Sequence, residues 1–169
     1  MKNLELNLDK IQALGSERED ENFEFRRFLK SQDSKRIDNI VKPLNKKITD
    51  QIDCTTCGNC CHHLRPLVSV EEIKKLSQID GISTTEFTKK HTEKEAFDDD
   101  RYLKATPCKY LKDKKCSIYA DRPGDCRSYP HTHKAGFTGR SLGLIENYSI
   151  CPIVFNLFEQ LKHELKFEY

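Results

Sequence analysis

The sequence predicts a mostly α-helical fold with a short β-hairpin, a small single domain organised around a cysteine-ligated metal centre. Three observations lead there. Apolar residues recur at helical spacing behind Ser-x-x-Glu starts at Ser16–Glu19, Ser69–Glu72 and Ser83–Glu86, the pattern of a capping box. Charged residues make up 33% of the chain and the mean hydropathy is −0.74, so helices with polar faces around a cross-linked centre are expected rather than a large apolar interior. Four of the eight cysteines fall within Cys54–Cys61, spaced C-x2-C-x2-C-C.

Taken in order, residues 1–53 read as a helical N-terminal extension. After the start at Ser16, Phe23, Phe25, Phe28 and Leu29 give an apolar face. A second helix starts near Ser34 and carries Ile37, Ile40, Val41 and Leu44, and Pro43 is expected to kink or restart it before Ile48 and Ile52. These helices are read as a brace over the cysteine core, with a dimerising hairpin as the alternative.

Residues 54–152 read as the cysteine-cluster, metal-binding domain. His62–Val68 is extended, since Arg65 precedes a proline. Ser69 opens a short helix with Val70, Ile73 and Leu76 inward and Gly81 past its end, and Ser83 opens another that runs to about His91. Thr92–Asp100 reads as an acidic loop. Arg101–Ala105 alternates as a strand, with Lys115–Tyr119 as its expected partner across a turn at Lys112-Asp113-Lys114. Residues 131–150, with Gly136, Gly139 and Gly143, read as a flexible connection. Residues 153–169 form a C-terminal helix packing on this domain, opened by Pro152 and striped by Ile153, Val154, Leu157, Phe158, Leu161 and Leu165.

Cys54, Cys57, Cys60, Cys61, Cys108, Cys116, Cys126 and Cys151 are the candidate metal ligands. Thiols set among Thr, Asn and Gly bury little apolar surface, so packing does not explain Cys54–Cys61. In a C-x2-C turn both sulfurs can face one metal, and Gly58 lets the backbone fold back and offer N–H groups to them. Cys60 and Cys61 are adjacent and their side chains diverge, which suggests service to different metals or a bridging role. The N-terminus lacks the apolar region of a signal peptide and no window is apolar enough to span a bilayer, so a cytoplasmic location is expected and no membrane association. In a reducing compartment eight cysteines indicate metal or redox chemistry rather than disulfides.

The formal charge is +2, and two four-thiolate sites would each lower it by two. Basic and acidic residues are interleaved, so no nucleic acid is expected as partner. Phosphate loops, dinucleotide fingerprints, zinc-protease motifs and nucleophile elbows are all absent from the sequence.

The run Cys54–Cys61, followed by Cys108-x-Tyr110-Leu111, Cys116-Ser117-Ile118-Tyr119, Arg122-Pro123, Cys126-Arg127-x-Tyr129-Pro130 and Cys151-Pro152, resembles the YkgJ-like cysteine-cluster family of zinc- or iron-chelating CxxCxxCC domains. All eight cysteines fall on motif positions between Cys54 and Pro152. His131 follows Pro130 where the family usually has an aromatic residue, which makes His131 and His133 candidates to join the ligands. Ile153 follows Cys151-Pro152 where glycine is frequent. The resemblance implies a metal centre and leaves the reaction open, because members are described as zinc proteins or as iron-sulfur oxidoreductases, and flagellin lysine methylases carry a similar domain.

Zinc and an iron-sulfur cluster are the two cofactors the thiols suit. The Cys57-Gly58 knuckle and the division of eight thiolates into fours favour zinc, whereas the ferredoxin-like spacing and the late Cys-Pro favour iron-sulfur. Arg122 and Arg127, between ligands, are candidates to neutralise thiolate charge. Arg65 also adjoins the cysteines, Lys109 is expected to be merely solvated, and Tyr119 and Tyr129 are expected to pack over the centre. His62 and His63 read as exposed residues. Metal ions are thus the expected partners, in a structural or metal-handling role. The alternatives are an iron-sulfur enzyme of oxidoreductase or methyl-transfer type, and a zinc-stabilised interaction module that meets a protein partner through Phe23, Phe25 and Phe28 of the N-terminal helices.

Overall fold

The structure, a computed structural model, describes residues 4–94, 100–104 and 106–169. It is mostly helical, with two small antiparallel strand pairs. In chain order the elements are α1 (Leu8–Glu17), α2 (Glu19–Ser31), α3 (Ser34–Thr49), α4 (Cys54–Cys57), α5 (Cys60–His63), α6 (Val70–Ile79), α7 (Thr84–His91), β1 (Thr92–Lys94), β2 (Arg101–Leu103), β3 (Leu111–Lys112), β4 (Lys115–Cys116), a 3-10 turn (Tyr119–Asp121), α8 (Gly124–Ser128), α9 (Phe137–Glu146) and α10 (Pro152–Glu164). The chain divides into two compact units, residues 1–53 with 130–169, and residues 54–129.

The first unit is all helical. Asn7 starts α1 by accepting the Lys10 N–H, and Asp33 starts α3 by accepting that of Arg36. The capping box expected at Ser16 does not form. α1 is already running through Ser16, whose backbone cannot take the extended cap conformation, and α2 follows from Arg18 without a side-chain cap. α3 neither restarts nor ends at Pro43, and its buried face, Ile37, Val41, Leu44 and Ile48, packs against α10. Phe25 is fully buried, edge-on to Phe158, while Phe28 stacks on Phe25 and meets Phe167. Two of the three rings expected to face a partner are therefore committed to this unit's own core.

Residues 131–150 are not a flexible connection, because α9 occupies half of them. The Asp38 carboxylate accepts the Gly136 N–H at 2.8 Å and the Phe137 N–H at 3.0 Å, capping α9 from α3. Phe137, Ser141 and Leu144 then turn inward, while Gly139 and Gly143 lie on the open side with nothing near them. α10 opens with Pro152 in its first turn as expected, and Val154, Leu157, Phe158 and Leu161 are fully buried. Its Asn156 amide exchanges two hydrogen bonds with the Glu5 backbone, at 2.8 and 2.9 Å, which ties the start of the chain to this helix.

The second unit has a small core of Val68, Ile73, Leu76, Phe87, Leu103 and Tyr110, with Cys108 and Cys116 packed against it. The capping box at Ser69 is complete, and Ser83 caps α7 by accepting the Glu86 N–H. Gly81 follows α6 in the left-handed conformation. Val70 points outward rather than in, at 74% exposure, because it stands at the first position of α6, before the helix reaches the core.

Arg101–Leu103 pairs with Thr92–Lys94 and not with Lys115–Tyr119, so the first residues of the expected acidic loop are strand β1. The remainder of that loop, residues 95–99, and Ala105 lie outside the described residues. Lys115–Cys116 pairs instead with Leu111–Lys112, through a turn in which Asp113 and Lys114 both have positive φ, 48° and 63°. Such a two-residue turn matches the twist of a tight hairpin, which explains why the partner is the adjacent segment.

Candidate metal centre

Seven of the eight candidate cysteines belong to the second unit, and none of the eight is in a disulfide. Cys54 and Cys57 begin and end α4, a single turn. Gly58 follows with φ 62°, and its α-carbon faces the Lys114 carbonyl so closely that a β-carbon would collide with it. The knuckle glycine thus seats α4 on the β3–β4 hairpin and brings the first C-x2-C beside the strand that ends in Cys116.

Cys60 and Cys61 open α5, and the Cys61 carbonyl accepts the Cys108 N–H at 2.7 Å. Cys126 stands in α8, which is fixed to the rest of the unit from two sides. Glu72 Oε1 accepts the Gly124 N–H at 2.6 Å while its Oε2 closes the capping box on Ser69, and the Asp125 carboxylate accepts the Leu67 N–H at 3.2 Å. An ion pair of 2.7 Å between Lys75 and Asp121 adds a third tie.

The surroundings of the thiols set the direction of their acidity. A hydrogen bond from Cys60 holds the Cys61 thiol low, at about 7, against the effect of burial and with help from the Arg122 guanidinium. Burial pushes the Cys126 thiol up to about 12, and negative charge on Cys108, Cys61 and Cys116 pushes the same way. Cys108 and Cys116 are likewise raised, first by burial, and each feels charge on Cys61. Cys108, Cys116 and Cys126 thus each feel charge on Cys61, and all four are partly buried; as thiolates they would repel one another, which a bound cation would relieve. As they stand, no three His, Cys, Asp or Glu side chains among the described residues are drawn close enough to hold a metal ion. The donor set fits a thiophilic metal, and the ion would have to draw the sulfurs together.

The other sequence candidates divide. Arg122 lies against the group, lowering Cys61 and Cys116, with its guanidinium 3.7 Å above the Tyr119 ring. Tyr119 itself is 42% exposed and is no lid over a centre, because that stack holds it at the surface. Arg65 pairs with Glu93, and Arg127 is exposed. Lys109 is not simply solvated, since it pairs with Asp80 and lies over the Phe87 and Tyr110 rings. His62 and His63 are exposed on α5. Cys151, at the N-cap of α10, and His131 and His133 belong to the first unit. The His131 carbonyl accepts from Arg140 at 3.0 Å.

Sequence reasoning missed Glu72 as the residue that anchors α8. Its signal was present, since a capping-box glutamate has a second oxygen to give. It also missed Asp80, whose carboxylate receives both Lys109 and the Tyr110 hydroxyl.

No helix among the described residues is long and apolar enough to cross a membrane. Comparison with curated proteins gives no match, and comparison with solved structures gives none. A family model described as "CxxCxxCC: Putative zinc- or iron-chelating domain" matches residues 53–152, more than half of the chain and all eight cysteines, consistent with the YkgJ-like resemblance of the motifs. On that match, the chain belongs to the CxxCxxCC family.

Proposed function

We propose that this protein is a cytoplasmic zinc-binding protein whose metal is held as a thiolate complex by Cys61, Cys108, Cys116 and Cys126. The observation that carries the reading is the mutual electrostatic coupling of these four thiols, in a unit whose apolar core is small. Zinc bound there supplies positive charge that deprotonates the thiols and cross-links α5, the β3–β4 hairpin and α8. Arg122 offsets part of the remaining negative charge. The Gly58 turn supports zinc because it has the form of a knuckle. Cys54, Cys57 and Cys60 offer three further thiols at the same end of the unit, suited to a second metal. The role is structural or metal-handling.

A second reading, an iron-sulfur centre, is favoured by the two consecutive C-x2-C steps of Cys54–Cys60, with a redox or methyl-transfer reaction to follow from it. Metal and acid-labile sulfide, measured on protein purified without oxygen, decide between them. Zinc without sulfide is expected. Iron with equimolar sulfide replaces zinc by a cluster, and absence of both refutes the metal reading.

A further inference from the structure

Beside the cysteine group, the second unit has a cleft of about 240 Å³ lined by Lys90, His91, Leu103, Lys104, Cys108 and Lys109. Its apolar floor includes Leu103, which is buried. Its rim carries three ammonium groups from three separate segments: the last turn of α7, the residue after β2, and the residue that follows Cys108. The rim is tied together, because the Lys104 N–H donates to the His91 carbonyl at 3.0 Å and the Lys109 ammonium lies 3.2 Å from His91 Nε2.

Two carboxylates act on this rim, Asp80 and the more exposed Glu86, whose charge is felt at His91. Asp80 pairs with Lys109 and lies 4.0 Å from the His91 ring. Neither Lys90 nor Lys104 has an ion-pair partner among the described residues, and the three lysines outnumber the carboxylates that act on the described rim. A concave, low-dielectric wall concentrates such a field on an incoming anion. Lysines are mobile point charges suited to oxyanions, and the volume admits only a small ligand.

We propose that this cleft binds a small doubly charged oxyanion, of the phosphate or short dicarboxylate kind, through Lys90, Lys104 and Lys109, with His91 as a hydrogen-bonding neighbour. Cys108 is shared with the proposed zinc site, so anion binding is read on both metal-free and zinc-loaded protein, and its absence from both is a failure of the cleft and not of the zinc reading.

Full-length protein is titrated with sodium phosphate, and separately with succinate, at constant ionic strength, while amide resonances are followed by NMR. Saturable shifts confined to His91, Leu103, Cys108 and their neighbours are expected. Lys90→Ala and Lys104→Ala should each weaken binding about fivefold, the scale of one unit-charge pair ~4 Å apart in water. Lys47→Ala, on the exposed end of α3, should leave it unchanged. Saturation by phosphate alone assigns a phosphoryl ligand, and by succinate alone a dicarboxylate. No saturable shift with either anion overturns the proposal, as does affinity that survives in the double variant Lys90→Ala, Lys104→Ala.

Discussion

Gly58 shows how one residue fixes the geometry of the cysteine region. With φ at 62° and its α-carbon against the Lys114 carbonyl, it admits no side chain. Gly58→Ala is expected to cost about 1–3 kcal/mol, from left-handed strain together with displacement of the hairpin. It should also lower zinc affinity, because Cys57 and Cys116 are carried by the two segments it joins. Thermal unfolding and a zinc competition titration check this, and a variant equal to wild type in both would show that the turn does not position the thiols. Cys61 is the other singular residue. A neighbouring thiol and Arg122 hold its pKa down at about 7, whereas Cys108, Cys116 and Cys126 are raised, so of these four it gives up its proton first.

At the scale of elements, the short α8 is too small to be stable by itself and depends on its attachments. Glu72 supplies one of them, through a carboxylate that it shares between Gly124 of α8 and the cap of α6 at Ser69. Glu72→Ala removes both acceptors and is expected to destabilise by about 2 kcal/mol, and Glu72→Gln by less, since the amide keeps one acceptor. If Cys126 is a ligand, zinc affinity should fall in the same order. Chemical denaturation in the presence and absence of metal reads both effects.

Elements with local signals were legible in the sequence. The Ser69 and Ser83 caps, Pro152 at the start of α10 and the Asp113-Lys114 turn all act through neighbours within a few residues. What could not be read depends on distant partners. α9 owes its start to Asp38, almost a hundred residues earlier, so a glycine-bearing stretch looked like a linker. The partner of β2 was misassigned because two strands of three residues carry too little pattern to specify a register. Within the candidate site, the C-x2-C-x2-C-C spacing of Cys54–Cys61 was readable in the sequence. The Cys61–Cys108 backbone bond and the anchoring of α8 by Glu72 were not, since both join residues far apart in the chain.

On the scale of the whole molecule, the two units are stabilised differently. The first has an extended apolar core and a polar network in which the nearly buried Lys162 meets Glu21 at 2.8 Å and Glu159 at 3.0 Å, with the Tyr148 hydroxyl donating to Glu159 at 2.7 Å. Burial alone would raise the Glu159 pKa, but Lys162, Tyr148 and Arg18 together hold it below its ordinary 4.5. A carboxyl depressed by folding stabilises the folded state fully above its unfolded value and loses that contribution as pH falls through the folded one. Stability should therefore decline below about pH 4.5 more steeply in wild type than in Glu159→Gln. Parallel acid limbs for the two proteins would show that the network contributes nothing.

The second unit has few apolar residues at its centre and seven thiols, so metal is expected to supply the cross-linking that its core lacks. The most direct test of that claim is zinc bound per chain, measured by competition with a chromophoric chelator, in wild type, Cys126→Ser and His91→Ala. Tight zinc in wild type and in His91→Ala, with loss of the tight ion in Cys126→Ser, is the predicted result. Zinc bound equally tightly by Cys126→Ser would contradict the four-thiol centre.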